Sequence, residues 1–191
     1  DLGYKKAAYR AYRGVRSLRG KVVPEKKHAD VETTMTPTAT GDVDALSLVA
    51  GGYSQTHRGG LQIAAKTLYF QAVLEKHTSA VDTLVKLMIV VDTQQRPDTA
   101  PSIDDILNSG LGQMVLSPLN QEHLGRFKIL WNHVFILNDD RNGGILFIKK
   151  YIRLGTHIIR WNGANSTDHE KGSIWLVGVS NETTKIGRAH V

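Results

Sequence analysis

The chain has 191 residues, enough for one domain with a sizeable core. It contains no cysteine and no apolar run long enough for a membrane-crossing helix, which excludes disulfides, thiolate metal sites and a helical membrane anchor. The formal net charge of +6 is unevenly spread: residues 1–28 hold nine basic groups against Asp1 and Glu25, and the rest of the chain is close to neutral.

A neutral body with a cationic leader points to a polyanion bound by the leader. The candidate nucleic-acid-binding residues are Lys5, Lys6, Arg10, Arg13, Arg16, Arg19, Lys21, Lys26 and Lys27. The four arginines recur every third residue, and on a helix that repeat drifts by about 60° per step, giving a broad basic flank. Gly14 and Gly20 each weaken such a helix by about 1 kcal/mol, so the arm is expected to be disordered alone and to order only in part on nucleic acid. No apolar face opposes the arginines, which argues against membrane insertion. Tyr4, Tyr9 and Tyr12 suit either stacking on bases or packing against a protein wall. With no base-reading arrangement evident, binding should tolerate sequence and weaken with salt. Pro24 marks the junction, dividing the chain into an arm (1–28) and a folded domain (29–191).

From Ala29 onward the pattern is β. Val31 to Thr38 is threonine-rich and β-branched, and Asp44 to Ala50 is a second short run. Residues 51–60 form a loop with two glycine pairs. Leu61 to Lys76 alternates with one interruption, which predicts a long strand with a bulge. Thr83 to Thr93 is nearly continuous apolar sequence, a central buried strand. Pro97 and Pro101 forbid a strand in the next stretch. Ser102 as N-cap, with Asp104 and Asp105 in the first turn, predicts one short helix over 103–108. Arg126 to Asn138 is a strand, Asn142-Gly143 signals a hairpin turn, and Ile145–Leu154, His157–Trp161, Ser173–Ser180 and Ile186–Val191 complete the set. The connections are mostly too short for βαβ crossovers, so the sheets are antiparallel. The expected class is all-β: a single eight-stranded jelly roll of two packed four-stranded sheets, with one short helix and a basic N-terminal arm.

Catalytic chemistry is not written in this sequence. The eight histidines show no HxH or HxxxH spacing for zinc. Asp139-Asp140-Arg141-Asn142-Gly143 lacks the ligand spacing and final Glu of a calcium loop. Ser117 precedes a proline with no GxSxG context, and the glycine pairs frame no phosphate-binding loop. The aromatics Phe127, Trp131, Phe135, Phe147, Trp161 and Trp175 fall in predicted strands and are expected mostly in the core. No enzyme, metal or cofactor is expected.

The residues VDTQQRPDTAPSIDDILNSG, followed by SPLNQEHLGRFKILWNHVFILN, form a more specific pattern. Asp92-Thr93-Gln94 ends a buried strand. A proline-containing loop then leads to a helix at Ile103 to Leu107, a Ser117-Pro118-Leu119-Asn120 loop and a strand at Arg126 to Leu130. Lys149 to Ile152, Gly172 to Leu176, Thr40-Gly41 before Leu46-Ser47, and Arg58-Gly59-Gly60 fall in the same order. This set, over about residues 29–186, resembles the capsid proteins of small circular Rep-encoding single-stranded DNA (CRESS DNA) viruses, which are similar to the coat protein of satellite tobacco necrosis virus. The resemblance implies a self-assembling T=1 shell of about sixty copies, and an arm that lines the interior and holds single-stranded nucleic acid, with DNA favoured and the kinship to a satellite RNA virus keeping RNA open. It also implies residence in the virion and, during assembly, the host nucleus. The apolar loop residues Leu111, Met114, Val115 and Leu116 are expected at subunit contacts. The alternative is a non-viral jelly-roll binding module, a lectin- or cytokine-like oligomer, which would not need the arm.

Overall fold

The computed structural model describes residues 26–77, 79–94, 99–108, 114–182 and 187–190. Nine strands lie among them: β1 (Thr34–Met35), β2 (Asp42–Ala45), β3 (Gln62–Glu75), β4 (Asp82–Asp92), β5 (Phe127–Asn138), β6 (Ile145–Trp161), β7 (His169–Lys171), β8 (Ser173–Ser180) and β9 (Gly187–His190). Four antiparallel pairs nest inside one another: β1 with β9, β2 with β8, β3 with β6, and β4 with β5. The chain is thus one long folded ribbon. Rolling it brings β3 against β9 and β4 against β8, giving sheets of order β1-β9-β3-β6-β7 and β2-β8-β4-β5. Without the three-residue edge strand β7, this is the eight-stranded jelly roll. The final strand β9 lies inside its sheet, between β1 and β3.

Local chemistry sets the boundaries. β1 is far shorter than the β-branched run around it, because Pro37 has no N–H to continue the ladder. β3 carries the expected bulge, opposite an irregularity in β6 where Gly155 takes a φ of +69°. Residues 145–161 are therefore one strand, not two. Ser102 caps helix α1 (Ile103–Ile106): its side chain accepts from the Asp105 N–H, and Asp105 Oδ2 accepts from the Ser102 N–H at 3.0 Å. The β5–β6 connection is not a two-residue turn. Asp139–Asn142 form a single helical turn, α2, with both acids at its N-terminal end, and Gly143 and Gly144 close it at φ of +59° and +73°.

Two apolar clusters organise the interior. One fills the space between the sheets, with Phe70, Leu74, Leu87, Ile89, Leu137, Trp161 and Leu176 among its members. The other lies on the outer face of the four-stranded sheet, where Met88, Val90, Trp175, Val177 and Val179 are covered by Ile106, Leu107 and Val115 of the β4–β5 connection. That sheet is covered on both faces. This is why β8 is buried at every residue and β4 at nearly every one, where a one-sided strand would alternate. Each large side chain so buried contributes roughly 1.5–3 kcal/mol.

Candidate nucleic-acid interface

Of the basic arm residues, Lys5, Lys6, Arg10, Arg13, Arg16, Arg19 and Lys21 lie outside the described residues. Lys26 and Lys27 are described and exposed. Lys27 Nζ donates to the Ser54 carbonyl at 3.2 Å, placing the arm's root beside the loop that precedes β3. β1 runs parallel to β3, because each is antiparallel to β9. The chain therefore passes from the β3 entry, along the side of the five-stranded sheet, into β1. It is tied down where Thr33 Oγ1 donates to Asp44 Oδ2 at 2.8 Å. Burial raises the Asp44 carboxyl above its usual range, against the pull of that hydrogen bond and with the help of nearby Asp42.

The glycine-rich loop at 51–60 is organised by a cation and is not a phosphate cradle. Arg58 is buried and spends its donors on backbone: Nε on Val49 O, Nη1 on Gly60 O, and Nη2 on Gly163 O and Asn165 O, at 2.6–3.0 Å. Its guanidinium lies 4.6 Å from the Trp161 ring centroid. Lys86 is likewise buried, donating to Ser117 O at 2.7 Å, and burial lowers its pKa. Neither cation is open to a polyanion.

The accessible cations of the body sit elsewhere. On the outer face of β3 and β6, Gln62 faces Arg160, Thr67 faces Arg153, Tyr69 faces Tyr151, Gln71 faces Lys149 and Val73 faces Phe147, with Lys66 at the bulge. Lys66, Lys149, Arg153 and Arg160 are exposed there, and Glu75 is the one acid that these two strands contribute. Lys66 and Arg160 have neutral partners, Thr156 Oγ1 at 2.9 Å and Gln62 Oε1 at 3.0 Å. No protein-family model matches this sequence, and no curated protein does. The reading of the surface therefore rests on its own chemistry. Among the described residues, Lys66, Lys149, Arg153 and Arg160 form a group of exposed cations on this sheet face, while exposed Lys128 lies on β5 of the other sheet.

Sequence reasoning missed this face. The signal was present in β6, where Phe147, Lys149, Tyr151 and Arg153 alternate with the inward Ile148 and Ile152. Phe147, expected in the core, is 74% exposed. Val115, expected at a subunit contact, is buried within its own domain against β4 and β8, while Leu116 beside it is 72% exposed. Leu111 lies outside the described residues.

Proposed function

We propose that this chain is a structural shell protein: a jelly roll that self-assembles into a small T=1 particle of about sixty copies and packages single-stranded nucleic acid, DNA in preference to RNA, through its basic arm. The motif set from Asp92 to Leu130 supports the kind of shell, that of a CRESS DNA virus capsid, with the virion and the host nucleus as its places of action. One observation carries the reading: nine basic groups precede a jelly roll that presents four exposed cations, Lys66, Lys149, Arg153 and Arg160, on the outer face of β3 and β6, in the sheet that the arm leads into. A non-viral binding module has no use for that concentration of charge. Self-association is supported by exposed Leu116, Leu124, Val134 and Ile136, and by the twelve-residue strand β5, which among the described strands stands at the edge of its sheet beside β4.

The test is size-exclusion chromatography with light scattering, electron microscopy and the 260/280 nm absorbance ratio of the purified protein. Megadalton particles rich in nucleic acid are expected. Replacing Arg10, Arg13, Arg16 and Arg19 with Gln should keep the fold and lower the ratio towards that of protein alone. A subunit of tens of kilodaltons under all conditions, or an unchanged ratio, contradicts the proposal.

A further inference from the structure

The bare face of β3 and β6 combines charge with exposed rings, and the combination selects a ligand. Tyr69 and Tyr151 are 57% and 58% exposed and stand directly opposite one another, so their Cβ atoms are about 5 Å apart. Phe147 lies four residues along β6 from Tyr151, with Lys149 between them and Arg153 beyond. Side chains on one face of a strand recur every two residues, about 6.8 Å. The Phe147 and Tyr151 positions, four residues apart, therefore lie about 13.6 Å apart along β6, about four times the 3.4 Å spacing of stacked bases in a duplex. A polymer lying along β6 with bases on the rings and phosphates at the cations must have its bases separated and unpaired. A duplex hides its base faces and offers only phosphates.

We infer that the outer face of β3 and β6 is a second nucleic-acid site, a stacking platform for unpaired bases built from Tyr69, Phe147 and Tyr151 and flanked by Lys149 and Arg153. It rests on the proposed function for the class of polymer and deepens it by adding a site that prefers single strands. Charge chooses this occupant over a second copy of the chain. Four exposed cations lie on the face against the single acid Glu75, so two such faces repel. A phosphate polymer is attracted. The arm's root at Lys27 lies near the β3 entry, at the end of the face marked by Arg160 and Gln62, so one strand can pass from arm to platform.

Fluorescence anisotropy on the full-length chain tests this, with a labelled oligothymidylate and a duplex of equal length titrated at several salt concentrations. Tyr69→Ser with Tyr151→Ser should weaken single-strand binding at least about tenfold, leave duplex binding unchanged and leave the salt slope unchanged, because the rings carry no charge. Lys149→Gln with Arg153→Gln should weaken both ligands and flatten the single-strand salt slope by about 1.4, or ~0.7 per lost phosphate contact. The arm variant with Gln at positions 10, 13, 16 and 19 separates the two readings. If it binds like the parent while the tyrosine variant fails, the arm's role falls and the platform stands. Wild-type single-strand affinity in the tyrosine variant overturns the platform and leaves the arm untouched. So does a natively folded tyrosine variant that loses self-association but keeps its oligonucleotide affinity, since the face would then be a contact between copies.

Discussion

Arg126 joins three stretches that are far apart in sequence. Its Nε and Nη2 reach both carboxylate oxygens of Asp92 at 2.7–3.1 Å, and Nη1 lies 3.7 Å from Asp105 Oδ2. Asp92 is fully buried at the end of β4, so removing its partner leaves a carboxylate with no counter-charge. Arg126→Ala should therefore destabilise the fold by about 3–5 kcal/mol in urea denaturation. Asp105 gives the same cluster a pH dependence. Burial works to raise its pKa, but the Ser102 hydrogen bonds, Arg126 and His123 outweigh it and hold the carboxyl below its usual value. A lowered folded pKa means that stability is fully present above the unfolded value of about 3.9 and is lost as pH falls through the lower one. Asp105→Asn should flatten the decline of stability below about pH 4 and leave the slope near neutrality unchanged, as read from melting temperatures across pH. The sequence marks Asp105 as a helix-start acid and Arg126 as the start of a strand but gives no sign that the two meet, because that contact depends on β4 and β5 being paired.

At the scale of elements, what depends on neighbouring residues was readable and what depends on distant ones was not. The apolar run of β4, the capped helix at Ser102 and the bulge in β3 follow from adjacent side chains. The reason β4 and β8 are so thoroughly buried does not, since it requires the β4–β5 connection to fold back over their outer face. The same closure decides that the face of β3 and β6 stays bare. β6 reads as strand from its residues, and the Lys149, Tyr151 and Arg153 that share a face with Phe147 are the one local sign that its ring points to water. β7 is only His169–Lys171, too short for any periodic signal. Its exit shows how tightly the junction is held. Gly172 sits at φ +78°, its N–H donates to Asp92 O at 2.9 Å, and a Cβ there would be driven into the Ile158 carbonyl. Gly155 has a similar φ but open space around it. Gly155→Ala should cost only the left-handed backbone penalty of roughly 1–2 kcal/mol. Gly172→Ala adds a backbone collision and should lower the melting temperature considerably more. Equal losses in the two variants would show that β7 and β8 yield around the new methyl group.

For the whole molecule, the decisive contrast is between adjacent residues with opposite surroundings. Val115 is 1% exposed and belongs to the cover on the four-stranded sheet, whereas Leu116 is 72% exposed. A glutamate at 116 meets water in the isolated subunit, so its effect on folding should fall within about ±0.5 kcal/mol. A glutamate at 115 would bury a lone carboxylate in the second core and should unfold the domain. If Leu116 is covered when copies meet, Leu116→Glu buries that charge at the contact instead, at a cost of several kcal/mol for each contact. In a closed symmetric particle every copy carries the defect, so the penalties recur throughout the shell and small subunit-level losses become complete failure to assemble. Leu116→Glu should therefore give a natively folded subunit by circular dichroism that elutes at tens of kilodaltons, while Leu116→Ala still forms particles. Full-sized particles from Leu116→Glu would remove this residue from the contacts and shift attention to exposed Val134 on β5, where the same charge test applies.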